Sequence, residues 1–134
     1  MGVKIYKILR NHLRRAIDDA VLAANDGGRE VCGLLVDNGY LLEVVKTGNK
    51  IKRGGGYEYY YSEVRSIVKA AGRLGHETVG TFHSHPLSIA KPGESDIANA
   101  VEDSLMLIID VVSKKTRLWH IVRGAAKEVK YTLL

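Results

Sequence analysis

Residues 80–96, GTFHSHPLSIAKPGESD, end an apolar strand pattern with two histidines and place an aspartate eleven residues after the second histidine. Side chains alternate between the two faces of a strand, so His83 and His85 share one face and Ser84 lies on the other. Their Cα atoms would be about 6.5 Å apart, which lets both imidazoles contact one ion. Two histidines alone are more often incidental than metal-binding, so the prediction depends on what surrounds them.

Asp96 can supply a third ligand if the loop after the histidines folds back and a short helix begins near Pro92 and Gly93. Zinc accepts histidine nitrogens and a carboxylate oxygen, and three protein ligands leave a fourth position for water. Zinc lowers the pKa of such a water to about 7, which makes it a nucleophile at neutral pH. The spacing therefore predicts a catalytic zinc site rather than a structural one.

A water nucleophile also needs a proton acceptor that is not itself a ligand. The candidate is Glu30, the first residue of the apolar strand pattern EVCGLLV. Taken alone, Glu30 would more simply be a solvated acid at a strand end. Its combination with the two histidines and Asp96 favours the catalytic role.

The rest of the chain alternates helical and extended patterns. Two amphipathic helices are predicted over residues 6–26 and 61–75, with Ser62 as the cap of the second helix and Gly75 as its terminator. A short helix is predicted within residues 94–103. The predicted strands are EVCGLLV, YLLEVVKTG, ETVGTFHSH, SLMLIIDVV, TRLWHIV and KEVKYTLL, with a tight turn at 37–39, a glycine-rich loop at 49–60, and SKK and RGAAK between the last three.

This order of elements predicts an α+β fold with α/β/α-like layering. A mixed central sheet would be flanked by the two main helices, with the short helix following the metal-binding loop. With 134 residues, 46% of them hydrophobic and 26% charged, we expect one globular domain spanning residues 1–134.

The composition also restricts compartment and partners. A single cysteine excludes an internal disulfide and favours the reducing cytoplasm. The first residues mix basic and apolar side chains, which predicts no signal peptide, and no apolar run reaches the ~20 residues that a membrane helix needs. The net charge of +5 suits an acidic protein partner, whereas the scattered basic residues do not favour nucleic acid. The composition is also compatible with a homo-oligomer.

Taken together, Glu30, the HSHP sequence at 83–86 and Asp96 resemble the JAMM (MPN+) zinc metalloprotease family, in its small prokaryotic type. That family's pattern is an upstream Glu, then HxHP, then a Ser seven residues after the Pro and an Asp three residues later. The resemblance runs from about Ile8 to the C-terminus, since the order of elements also fits. Asn49 stands where members often have an Asn.

The resemblance implies a cytidine-deaminase-like MPN architecture and a zinc-dependent isopeptidase or peptidase. Members remove ubiquitin or ubiquitin-like proteins, and small prokaryotic members act on ubiquitin-like modifiers or sulfur-carrier proteins. Such a protein is therefore the implied substrate. The loops NKIKRGGGYEYYY and PLSIAKPG would form the walls of a groove for its extended C-terminal tail.

The resemblance also implies a role for each matched residue. His83, His85 and Asp96 would hold Zn²⁺. Glu30 would take a proton from the attacking water and later deliver it to the leaving amine.

Gly93 departs from the pattern, because it stands where the family usually has a serine that resembles an oxyanion stabiliser. Losing one such donor costs roughly 10²- to 10³-fold in rate in other hydrolases. Three outcomes follow. Ser95 or Ser88 supplies the hydroxyl, with Ser95 as the candidate catalytic residue; the Gly93 backbone N–H substitutes; or the enzyme is slow or inactive.

Two other functions stay open at this point. One is a non-catalytic scaffold of the same fold, which Gly93 weakly favours and the intact ligand set disfavours. The other is hydrolysis of a small amide or a cell-wall-type peptide, which the same metal chemistry would permit. Cys32 is expected to be a buried core residue rather than a nucleophile. The tyrosines at 57 and 59–61 fit groove lining and helix packing equally well.

Overall fold

The computed structural model describes residues 4–134 and shows three helices and eight strands in that range. The helices are α1 (Arg10–Asn25), α2 (Tyr61–Arg73) and α3 (Glu94–Ala98). The strands are β1 (Tyr6–Ile8), β2 (Cys32–Asp37), β3 (Leu42–Thr47), β4 (Glu77–His85), β5 (Ser104–Asp110), β6 (Thr116–Val122), β7 (Ala125–Val129) and β8 (Tyr131–Leu133). Residues 1–3, which belong to the segment expected to lack a signal peptide, lie outside the described residues. No helix in the described range is long and apolar enough to cross a membrane.

Six strands form one mixed sheet in the order β3-β2-β4-β5-β6-β7. Only β4 and β5 run parallel within it, and every other neighbouring pair is antiparallel. A parallel pair cannot be joined by a tight hairpin, so the chain must cross over between β4 and β5. That crossover contains the predicted metal-binding loop and α3, and it brings Asp96 back toward the end of β4.

Alternation along β5 separates the core into two layers. Leu105, Leu107 and Ile109 face a cluster that includes the buried side of α1, whereas Met106 and Ile108 face a smaller cluster. The smaller cluster contains Trp119 and Ile121 from β6 and Ala90 from the crossover, with Ile97 of α3 packed against it. The predicted α+β fold with a mixed central sheet is confirmed.

The first predicted helix begins later than expected. Tyr6–Ile8 form β1, which pairs in parallel with β8, and α1 starts only at Arg10. The short stretch before Arg10 fits both the helical period and the strand period. Its pairing with β8 makes it a strand. Ser62 is also not the cap of α2, because the helix already begins at Tyr61 and Tyr60 occupies the cap position without a side-chain hydrogen bond.

The C-terminal region contains one more strand than expected. The stretch predicted as the single strand KEVKYTLL divides into β7 and β8, and β7 begins at Ala125 inside the segment predicted as a loop. Arg123 and Gly124 make the turn, both with positive φ, so β6 and β7 form a tighter hairpin than the sequence suggests. The short helix predicted within 94–103 occupies only Glu94–Ala98.

Gly80 lies where β4 and β5 come close together, opposite Leu105. A Cβ at Gly80 would stand 2.0 Å from the Leu105 carbonyl oxygen, a backbone atom that cannot rotate away. We expect Gly80→Ala to destabilise the fold by about 2–3 kcal/mol and lower the melting temperature by roughly 10 °C.

Gly72→Ala is the matched control for that substitution. Gly72 lies within α2 and a Cβ there meets nothing within 4 Å. The same substitution should therefore stabilise the helix by about 0.5–1 kcal/mol. Equal melting temperatures for both variants in thermal unfolding would refute the close approach at Gly80.

Candidate metal centre

Three side-chain atoms converge at the end of β4. The Nε2 atoms of His83 and His85 are 3.0 Å apart, and each lies 3.3 Å from Oδ2 of Asp96. These residues form a group that could hold a metal ion. His83 is fully buried, while the side chains of His85 and Asp96 are only 12% and 13% exposed, so an ion would reach the triangle from one side.

The size of the triangle fits a small tetrahedral cation. Ligands at about 2.0–2.1 Å from a tetrahedral zinc stand about 3.3–3.4 Å from one another. The two separations of 3.3 Å from Asp96 equal that edge, and the 3.0 Å between the histidine nitrogens is slightly shorter.

The hydrogen bonding of His85 also favours a cation. Its Nδ1 lies 2.8 Å from the carbonyl oxygen of Ile89, so Nδ1 carries the proton and donates it to that carbonyl. In the neutral ring, Nε2 then carries a lone pair and no proton. This lone pair and the Asp96 carboxylate are two hydrogen-bond acceptors that face each other. A cation between them resolves the conflict, and the Ile89 carbonyl fixes the ring by accepting its other N–H, as carbonyls commonly do for metal-binding histidines.

The ionisation of His85 and Asp96 reflects the same contacts. Burial would raise the pKa of Asp96, but hydrogen bonds with His83, His85 and the Gly93 N–H outweigh burial and hold that pKa well below its usual range. Burial opposes protonation of His85, but its bonds to Asp96 and the Ile89 carbonyl raise its pKa. Nδ1 of His83 is buried without a hydrogen-bond partner in the described part of the chain, a cost that a strong Nε2 interaction would offset.

The crossover loop is anchored so that Asp96 returns to the histidines. Buried Trp119 donates its Nε1–H to the carbonyl of Ala90 at 2.9 Å. The Gly93 N–H donates to Oδ2 of Asp96 at 2.9 Å, which fixes the carboxylate at the start of α3. Trp119 therefore both fills the core and holds the loop that carries Asp96.

Glu30 lies just before β2, is buried and lines the same cleft as His85 and Asp96. Its Oε2 accepts a hydrogen bond from the Gly56 N–H. Its charge is near enough to help raise the pKa of His85. Glu30 is therefore not a solvated acid at a strand end.

Two polar side chains fix the backbone around Glu30. Ser84, fully buried between the histidines, accepts a hydrogen bond from the Val31 N–H at 2.9 Å and so ties the start of β2 to β4. Asn49 donates from Nδ2 to the Glu30 carbonyl at 3.0 Å and to the Gly56 carbonyl at 3.1 Å. The sequence places both residues within the motif, but it gives no signal of these contacts.

Ser95 and Gly93 lie beside the candidate ligand Asp96 at the start of α3. Ser95 is exposed and lines the cleft, and Ser88 lines it as well. The Gly93 N–H is already donated to Asp96, which argues against it as a free oxyanion donor. A Cβ at Gly93 would stand 3.7 Å from Asp96 Oδ2, an ordinary contact, so a serine fits there.

The tyrosines divide between the two expected roles. Tyr57 and Tyr59 line the cleft, whereas Tyr60 and Tyr61 stand at the start of α2. The Tyr57 ring stacks on His83 with centroids 4.6 Å apart. Burial, assisted by the carboxylates of Asp96 and Glu30, raises the pKa of Tyr57 well above its ordinary value.

Cys32 is fully buried opposite His83, and desolvation is the main cause that raises the pKa of its thiol. It is therefore a buried protonated thiol, as expected, and not an activated nucleophile.

The metal triangle opens into a cleft of about 1110 Å³ that runs between α2 and α3. The glycine-rich loop supplies one wall through Gly56 and Tyr57, and the crossover loop supplies another through Ile89 and Lys91. These are the two loops expected to form the walls of a groove.

Solved structures with the same fold include three that cover nearly the whole chain. A protein from Desulfitobacterium hafniense is 22% identical with a TM-score of 0.80, over 97% of this chain and 93% of that one. A JAB1/MPN domain protein from Archaeoglobus fulgidus is 17% identical with a TM-score of 0.61, over 99% and 100%. A structure described as a JAMM metalloprotease-like zinc site in the proteasome and signalosome is 16% identical with a TM-score of 0.54, over 98% and 99%.

At these identities the structural likeness shows the fold alone. No curated protein sequence matches the chain significantly. The sequence model of one family, described as prokaryotic homologs of the JAB domain, matches residues 10–122 and so includes Glu30 and the complete ligand triangle. The resemblance to the JAMM/MPN family is thereby confirmed, and the chain belongs to the family of prokaryotic homologs of the JAB domain.

Proposed function

We propose that the protein is a cytoplasmic zinc-dependent metallopeptidase that hydrolyses an amide or isopeptide bond. The observation that carries the proposal is the ligand triangle of His83, His85 and Asp96, with edges of zinc-site length, in one cleft with the buried carboxylate of Glu30. Three protein ligands leave a position open for water, as in catalytic zinc sites.

Each residue has a distinct task in this reaction. His83, His85 and Asp96 would hold a zinc ion, whose Lewis acidity would activate a water and polarise the scissile carbonyl. Glu30 accepts a proton from the attacking water and returns it to the nitrogen of the leaving amine. The Gly56 N–H holds Oε2 of Glu30, whereas Oε1 accepts no hydrogen bond from the part of the chain described, so it is free to take the proton.

We further propose that the substrate is the C-terminal tail of a ubiquitin-like or sulfur-carrier protein. The cleft extends well beyond the triangle, from Glu30 to Asp103 and Ser104, which gives room for an extended peptide. The net charge of +5 favours association with an acidic protein. Small peptide amides would use the same chemistry but would leave much of this cleft empty.

The test measures metal content and cleavage together. We expect purified protein to carry about one zinc per chain, and to cleave both a fluorogenic Gly-Gly amide and a carrier-protein fusion extended beyond its Gly-Gly end. A chelator should stop cleavage and added zinc should restore it. Faster cleavage of the isolated amide than of the fusion would contradict the carrier-protein substrate.

The second candidate is a non-catalytic scaffold, and one observation favours it. Gly93 supplies no hydroxyl at the start of α3, where the resembling family usually has a serine. Zinc-loaded protein that binds a carrier protein but cleaves neither substrate would support the scaffold and contradict the hydrolase.

A further inference from the structure

Hydrolysis of an amide places negative charge on the carbonyl oxygen, and a hydrogen-bond donor beside that oxygen is usually worth a large part of the rate. At residue 93, where the resembling family usually has a serine, this chain offers no donor. Gly93 has no side chain, and its N–H is donated to Asp96. Another hydrogen-bond donor in the cleft would have to serve that oxygen.

Tyr57 has the position and the support for this role. Its ring stacks on the buried ligand His83, with centroids 4.6 Å apart and planes inclined by 29°, and meets Tyr59 edge-on at 5.6 Å. These contacts fix the ring against the metal triangle. Tyr57 also lines the cleft, together with Asp96 and Glu30, the two carboxylates of the site.

The Tyr57 hydroxyl makes no hydrogen bond to the portion of the protein that is described, whereas the neighbouring Tyr59 hydroxyl donates to the Gly33 carbonyl at 3.0 Å. A rigid phenol beside the triangle thus keeps its donor available for a ligand. Ser95 is a weaker alternative, since it lies on the exposed side of a five-residue helix.

We propose that Tyr57 is a catalytic residue whose hydroxyl donates a hydrogen bond to the carbonyl oxygen of the scissile amide as negative charge develops there. The water oxygen bonds to the carbonyl carbon, the carbonyl π electrons move to its oxygen, and Tyr57 keeps its proton throughout. The water proton still goes to Glu30. This inference rests on the proposed hydrolytic function and names the donor that replaces the side chain absent at Gly93.

The test compares Tyr57→Phe with wild type. Phenylalanine keeps the ring on His83, so we expect unchanged fold and zinc content. Turnover should fall roughly 10²- to 10³-fold with KM little changed. Tyr61→Phe is the control with no expected effect, because Tyr61 is 77% exposed and starts α2 away from the cleft lining.

Gly93→Ser supplies the diagnostic combination. In wild type we expect little change from it, because Tyr57 already provides the donor. In the Tyr57→Phe background the new hydroxyl should recover most of the lost turnover. Loss of rate in Ser95→Ala with none in Tyr57→Phe would overturn the proposal in favour of Ser95.

A binding measurement separates this inference from the proposed function. A phosphinic analogue of a Gly-Gly amide carries a tetrahedral anionic oxygen, and we expect calorimetry to show roughly 10- to 100-fold weaker binding to zinc-loaded Tyr57→Phe than to wild type. Equal affinities would overturn the role of Tyr57. Absence of turnover by wild type would instead contradict the hydrolase, whatever the two affinities are.

Discussion

His85→Ala is expected to lower zinc affinity by more than about 100-fold, because it removes one of the three proposed ligands. Removing a residue that only hydrogen-bonds to a ligand already costs about 10- to 100-fold. His85 suits the test better than His83, which is fully buried and would leave a cavity in the core. Zinc content after dialysis, and titration with zinc in competition with a chromogenic chelator, measure the change.

His120→Ala is the matched control for the loss of an imidazole. His120 pairs with Asp103 at 2.6 Å and is no member of the ligand triangle. We expect its zinc stoichiometry and affinity to equal those of wild type. Retention of tight, stoichiometric zinc in His85→Ala would contradict the triangle as the metal site. It would also contradict the proposed hydrolytic function, which depends on that site.

Glu30→Gln is expected to reduce turnover roughly 10²- to 10⁴-fold, the usual contribution of a positioned general base. Glutamine has the same shape and keeps an oxygen that accepts the Gly56 N–H, so the loop over the site should stay in place. Zinc content should also stay the same, because Glu30 is not one of the three ligands. The measurement is kcat on the Gly-Gly substrates with zinc content determined on the same samples.

Glu94→Gln is the corresponding control. Glu94 begins α3 beside the ligands but does not line the cleft, so neutralising it tests whether a general loss of negative charge slows the reaction. We expect turnover within about twofold of wild type, since exposed charges contribute little. Comparable losses in the two variants would indicate a long-range electrostatic effect and would exclude Glu30 as the proton acceptor.

The grouping of His83, His85 and Asp96 could be predicted from the sequence because it depends on few geometric facts. Strand alternation places the histidines on one face, and the loop of residues 86–93 turns back so that Asp96, at the start of α3, lies at the same end of β4. The structure brings the three side chains together through those two features.

The loop over Glu30 could not be predicted because no periodic pattern governs it. Its path depends on positive φ angles at Gly54 and Gly56 and on the four hydrogen bonds of the Asn49 side chain. The sequence shows a glycine-rich segment, but not which glycine N–H reaches Glu30. The stacking of Tyr57 on His83 depends on the same loop path, so it could not be predicted from the sequence either.

The errors in the fold have a similar origin. Tyr6–Ile8 became a strand because the other end of the chain pairs with it, and local pattern carries no information on a partner more than a hundred residues away. The division of the last strand into β7 and β8 depends on the same long-range pairing.

The bond between Ser84 and the Val31 N–H has a consequence for the order in which the site assembles. The three ligands all come from residues 83–96, so their loop closes over a short distance with a small entropic cost. Glu30 reaches them only when β2 and β4 pair, across a separation of 53 residues. Contacts of that separation form later in folding than local ones. On the proposed function, a newly made chain would therefore bring its three metal-binding side chains together before its proton acceptor is in place.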